Sequence, residues 1–236
     1  MKMIDEKDGR EYKVVEIGNR VWMAENYAFL GDDDEYWGML SPRDKSHVSS
    51  YSPFVYVYEY DGSDIEEAKK LEHYKTYGAF YNYEAAVSLA PKGWHLPTLE
   101  DWVDLQQSIG MSKEEIDAYG GYLDRGNVAG KLKEPGTWTH RWGTVPANCE
   151  EGANNLSGFS ALATGEGIIY DSYPEVPGWS MVGGVCNYWS TQQDPSDDCK
   201  VCKYKLIGYC DFISRCFESK NLAFSVRYVK DKENEE

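Results

Sequence analysis

Apolar residues recur at short period near the start of the chain, with Tyr12, Val14, Val15 and Ile17 before Gly18-Asn19 and Val21, Trp22 and Met23 after it. Two short strands joined by a tight turn are predicted over 11–25, with Gly-Asn supplying the turn chemistry. Residues 31–53 show no period and carry an acidic run, Asp32-Asp33-Asp34-Glu35, which reads as a solvated loop. Residues 54–60 alternate aromatic and β-branched side chains as a strand. Ser63 with Glu66 forms a capping-box pattern opening a polar helix over 64–73. A short helix over 83–89 stops before Pro91, because the residue preceding proline is disfavoured in the helical region.

Thr98 with Asp101 makes a second capping box, and Trp102, Leu105 and Ile109 follow at i, i+3, i+7, so a helix with one buried stripe is predicted to end at Gly110. Ser112 with Glu115 opens another through Ile116 and Tyr119, and residues 128–132 read as one further helical turn before Pro135-Gly136. From Asn154 onward the pattern changes to short strands, over 159–163, 186–191, 200–206, 212–217 and 222–229, separated by loops rich in Gly, Pro, Asp and Ser. The fold class predicted is α+β.

The chain of 236 residues sustains one core, so a single domain over 1–236 is expected, with 1–10 and 231–236 as frayed ends. Lys plus Arg number 24 against 40 Asp plus Glu, a net charge of -16, and no basic stripe is visible. A nucleic-acid partner is excluded on that ground, since a phosphate backbone would be repelled. No run approaches the roughly 20 apolar residues of a transmembrane segment, and residues 1–10 are charged rather than patterned as a signal peptide. The 19 Tyr and 8 Trp serve both as core filler and as rigid contact surface.

Six cysteines stand at Cys149, Cys186, Cys199, Cys202, Cys210 and Cys216, an even count that admits up to three disulfides or a set of free thiols. A zinc site has only the single pair Cys199 and Cys202 behind it. There is no second knuckle, and His47, His73, His95 and His140 are scattered. The acidic run lacks the Asp-x-Asp-x-Asp-Gly loop of a calcium site. No metal and no cofactor are expected. His95, without a partner at readable spacing, reads as a hydrogen-bonded structural residue.

Four segments carry a family resemblance: Val21-Trp22-Met23-Ala24-Glu25-Asn26, Pro91-Lys92-Gly93-Trp94-His95-Leu96-Pro97-Thr98, Asn187-Tyr188-Trp189-Ser190-Thr191 and Phe224-Ser225-Val226-Arg227. In order and content they resemble the Fibrobacter succinogenes major paralogous domain over nearly the whole chain. The resemblance implies a C-type-lectin-like fold related to the formylglycine-generating enzymes. In it a mixed, twisted sheet is built largely from N- and C-terminal strands, helices from the middle pack on it, and the Phe-Ser-Val-Arg segment is the last core strand. Those enzymes carry an oxidising cysteine pair shortly before that strand, where Cys210 and Cys216 stand here. The spacing departs from theirs, the surrounding Arg, Ser and Asn signature is missing, and Asp211 and Glu218 would raise a thiol pKa. An oxidoreductase is therefore the alternative reading, beside that of a purely structural surface domain. Calcium-dependent sugar binding uses Glu-Pro-Asn and Trp-Asn-Asp, whereas Glu134-Pro135-Gly136 and Trp189-Ser190-Thr191 stand here.

Residues 192–219 mix Cys, Tyr, Phe, Ile, Asp and Ser with little alternation. The segment resembles the variable region of target proteins of diversity-generating retroelements, and a divergent strand pair stabilised by disulfides is the equal alternative. The function expected is a non-enzymatic binding or adhesion module of a bacterial cell surface, phage or mobile element, located extracellularly, with an unidentified protein or glycan as ligand. Its contact residues are expected to be Gln192, Lys203, Tyr204, Tyr209, Asp211, Phe212, Phe217 and Glu218, with exposed aromatics anchoring and flanking charges selecting.

Overall fold

The computed structural model describes residues 1–31, 53–60, 62, 64–118, 126–138, 152–167 and 179–232. The loop expected over 31–53 lies almost wholly outside them, as do Cys149 and Tyr119. The predicted N-terminal hairpin is present as β2 (Glu11–Ile17) and β3 (Arg20–Met23), paired antiparallel through Ile17 and Arg20. Gly18 takes φ 62° at the turn, and a side chain there would run into Asp104, which holds Asn19 by both backbone and side chain.

The first ten residues are not frayed. Strand β1 (Lys2–Ile4) pairs with β2, and buried Asp5 accepts a 2.6 Å hydrogen bond from the Tyr27 hydroxyl. Burial of Met3 opposite Tyr12 fixes the strand that the charged sequence concealed. A five-stranded sheet of order β1-β2-β3-β12-β6 results, with β6 at Trp94–His95 and β12 at Val229–Lys230. The strand expected over 54–60 contracts to β4 (Val55–Tyr56), which pairs with β5 (Phe80–Tyr81).

The polar helix predicted over 64–73 is broken into α1 (Ile65–Ala68) and α2 (Glu72–Tyr77). Asp64 caps α1 through the amides of Glu66 and Glu67, while Leu71 turns extended at ψ 140° and packs against the core instead of continuing the helix. Asn82 caps α3 (Tyr83–Ser88). Of the three capping boxes expected, those of Thr98 with Asp101 on α4 (Leu99–Ser108) and Ser112 with Glu115 on α5 (Lys113–Asp117) form, whereas the N-cap of α1 is Asp64 and Ser63 lies outside the described residues. Trp102, Leu105 and Ile109 are buried, and α4 lies on β2, β3 and, ahead in the chain, β9 (Val185–Asp194). Residues 129–131 make a short 3₁₀ turn.

The C-terminal strands run longer than predicted. Strand β9 pairs with β10 (Asp197–Ile207) and β10 with β11 (Ile213–Ser219), while β7 (Glu166–Gly167) and β8 (Trp179–Ser180) form a small separate pair. Among the described residues all strand ladders are antiparallel, and parallel geometry is confined to the isolated bridges Lys133 to Ala161 and Tyr188 to Ser225. The single mixed sheet expected is thus corrected to several antiparallel sheets with short helices between, an α+β arrangement.

Two predicted strands are not strands. Residues 159–163 are irregular because Ser160 takes φ 55°, which breaks the pleat and turns two carbonyls toward Arg227. Residues 222–229 form a strap instead, bridging β7 through Ala223, β5 through Phe224 and β9 through Ser225 before joining the large sheet at Val229. Ala223 to Val229 are all buried, so neither side of the strap faces water. It divides a tyrosine-rich core around Tyr27, Tyr81 and Tyr228 from a second core around Trp22, Trp102, Phe159 and Tyr188.

The five described cysteines form no disulfide. On β10, Cys199 and Cys202 sit an odd number of positions apart and point to opposite sides, one exposed and one buried, which also removes them as a joint zinc pair. Cys216 stands opposite Lys203 and Cys202 opposite Phe217, so those two thiols also face different sides.

Candidate functional site

The period of two along β9, β10 and β11 sorts the C-terminal residues into two faces. Cys186, Tyr188, Cys202, Tyr204, Leu206 and Ile213 turn into the second core. Tyr204 lies flat on Trp102, with ring centroids 4.1 Å apart and planes 15° apart, and is 1% exposed. It is core and not the contact residue expected. Phe217 is half-buried and packs on the same cluster.

The other face carries Asn187, Lys203, Lys205, Ser214 and Cys216, and β7 brings Glu166 over it. The Lys203 ammonium stands 3.8 Å from Glu166 and 3.3 Å from Glu218, with the Phe224 ring 4.6 Å away, and Lys205 stands 3.6 Å from Glu166. Asn187 donates to Glu166 at 2.9 Å. At 3% exposure Lys203 cannot flank an open contact surface, because its charge is held inside by two carboxylates. Glu218 is half-buried and engaged by the same lysine. Gln192 is also half-buried, and its Oε1 meets no donor among the described residues.

The turn between β10 and β11 holds the remaining candidates. Asp211 accepts from the Gly130 amide through its carboxylate and from the Ala129 amide through its carbonyl, pinning the turn to the 3₁₀ segment. Lys133 donates to the carbonyls of Ile207 at 2.8 Å and Cys210 at 2.6 Å from beneath. Phe212 is half-buried, whereas Tyr209 at the apex is 51% exposed. Beside Tyr209 lies a groove of about 200 Å³ lined by Met181, Gly184, Val185, Lys205 and Ile207. Lys205 and Met181 were not anticipated. The signal for Lys205 was its spacing of two from Lys203, which puts both lysines on one face.

Among the described residues, Cys186, Cys216, His95 and Asp101 sit in structural surroundings. Burial pushes the Cys216 thiol up, the nearby carboxylates of Glu218 and Glu166 add to this, and Lys203 and Lys205 offset only part of it, so no reactive thiolate is favoured. Cys186 is pushed up to about 12 by burial. His95 is clamped by Asp101 at 2.9 Å on Nε2 and Asp231 at 2.6 Å on Nδ1; the Asp101 hydrogen bond leads the causes that raise its pKa. Burial alone would raise the Asp101 carboxyl, but hydrogen bonds from His95, Thr98 and Arg20 hold it well below the carboxylate range. Asp197, Asp198 and Cys199 gather at the tip of the β9–β10 turn, where Asp197 binds Lys200 at 3.1 Å and Asp198 raises the Cys199 thiol.

No helix among the described residues is long and apolar enough to cross a membrane. No curated protein and no solved structure matches the chain. The family model described as the Fibrobacter succinogenes major domain matches residues 15–230, from β2 to the end of β12, and the chain belongs to that family.

Proposed function

We propose that this chain is a non-enzymatic binding module with a C-type-lectin-like fold, acting at a bacterial cell surface or on a phage, and that it meets its ligand at the β10–β11 turn. The observation that carries the reading is Tyr209, an exposed ring standing over a groove that Lys205 charges from one side. A ring beside a cation, on a turn pinned by Asp211 and Lys133, is a preorganised anchor with little ordering cost. At about 200 Å³ the groove takes one sugar ring, which favours a glycan end over a flat protein epitope. Of the eight residues expected to make the surface, Tyr209 retains the anchoring role, and Lys205, which lines the groove while sharing Glu166 with Lys203, takes the place of Lys203 beside it. Positions able to vary without disturbing a core, as a diversified receptor requires, are the exposed ones, including Gln193, Asp198, Lys200 and Tyr209.

The competing oxidoreductase reading has a direct test. A Cys-x-Pro-x-Arg peptide incubated with the protein should show no aldehyde by mass spectrometry, because the Cys216 thiol is half-buried and its pKa is raised. Aldehyde formation that disappears in Cys216→Ser would overturn the binding-module reading.

A further inference from the structure

A second cleft, of about 270 Å³, opens far along the chain from the C-terminal turn, between the end of α2 and the loops that follow β3. Arg10, Lys13 and Lys75 stand on its walls with Glu25 and Glu134, and Asn26 forms part of its floor. On a chain of net charge -16, three cations against two carboxylates is a local reversal.

The floor adds a fourth positive charge. Arg227 is fully buried behind it, donating to Asn26 Oδ1 at 2.7 Å and to the Ser160 carbonyl at 2.8 Å, both residues of the cleft. Its other acceptors are the carbonyls of Met23 and Phe159. All four acceptors are neutral, and no carboxylate forms an ion pair with Arg227 among the described residues. With no carboxylate in direct contact and its charge offset only through space, Glu25 on the cleft wall contributing, the buried guanidinium adds positive field to the space in front of it. The same floor is rigid: Asn26 also donates to the Tyr77 carbonyl at 2.9 Å, and Gly78, at φ 77°, leaves no room for a side chain against the Tyr27 carbonyl.

We infer that this cleft binds an acidic sugar residue, taking its carboxylate on the cations and its hydroxyls on Glu25 and Glu134. A simple inorganic anion would be served by the cations alone and repelled by the two carboxylates, whereas sugar hydroxyls donate to carboxylates. The rim cations are available for such a ligand: Lys13 is 3.7 Å from Glu25 and Lys75 is 3.9 Å from Glu72, both exposed and loosely held pairs. This site is separate from the Tyr209 groove and does not depend on it.

Calorimetric titration with glucuronate, glucose and acetate tests the assignment. Glucuronate should bind, with glucose and acetate each at least about tenfold weaker, since each lacks one half of the recognition and a charge-assisted contact is worth about a factor of ten. Lys13→Glu with Lys75→Glu should lose glucuronate binding at unchanged melting temperature, and Lys13→Gln with Lys75→Gln gives the same test should charge reversal unfold the chain. Lys92→Glu with Lys113→Glu, equal in net charge and at exposed positions that do not line the cleft, should bind as wild type. No glucuronate binding up to about 10 mM, equal binding of glucose, or equal loss in the remote double variant would overturn the inference.

Discussion

Arg227→Met is expected to destabilise the protein by at least about 3 kcal/mol, because it strips the donor from three buried acceptors, each worth about 1 kcal/mol or more when left unsatisfied, and from a fourth at the edge of the cleft. The carbonyls of Met23, Phe159 and Ser160 take this guanidinium as their side-chain donor, and Asn26 Oδ1 shares it with the more distant Tyr188 hydroxyl at 3.5 Å. The groups belong to three stretches of chain that are remote in sequence, so the loss would loosen the junction of both cores. Arg227→Lys should recover little, since an ammonium lacks the planar fork that reaches acceptors in several directions. In thermal denaturation the Met variant should melt about 10 °C or more below wild type. A fall of about 2 °C or less would show that Arg227 is not the clamp described.

Asp101→Ala should cost about 3 to 5 kcal/mol, the usual penalty for removing one member of a buried charged cluster. Its carboxylate pairs with Arg20, accepts from His95, and closes the capping box on the Thr98 amide and hydroxyl. The loss should depend on pH in two directions. Asp101 has a depressed pKa, so its contribution is present above the unfolded value of 3.8 and fades as pH falls through the lower folded value. His95 has a raised pKa, so its contribution is complete below the unfolded value of 6.5 and fades as pH rises through the higher folded value. Wild type and variant should therefore differ most between these two unfolded values, as read from chemical denaturation across pH. A difference that stays constant from acid to alkaline conditions would contradict the charged cluster.

Asp101 also shows which parts of the fold were legible. Its capping box was visible because Thr98 and Asp101 lie within one turn, and local hydrogen bonds of that kind leave a local signature. Gly18 marked the hairpin for the same reason. What Asp101 does beyond the cap was not visible, since Arg20 and Asp231 approach it and His95 from remote parts of the chain. The strap at 222–229 read as a strand because it is extended and apolar, but it is bridged to five separate strands rather than one neighbour.

The C-terminal contact residues were half legible. Period two puts Tyr204 and Lys203 on opposite faces, yet it does not say that both faces are covered, one by Trp102 and the other by Glu166. A lysine and a tyrosine in an acidic chain read as surface, and only the long-range packing reverses this. Tyr209 escaped the error because it sits in a turn, where a large aromatic has no sheet face to pack on.

The proposed contact surface is tested most directly by binding to a printed glycan panel, comparing wild type with Tyr209→Ala combined with Lys205→Ala. Wild type should retain a discrete subset of glycans, and the double variant should lose that subset, by about 2 kcal/mol or more for an aromatic anchor, with its circular dichroism spectrum unchanged. A retained subset that the double variant binds as well as wild type would contradict the placement of the site at the β10–β11 turn.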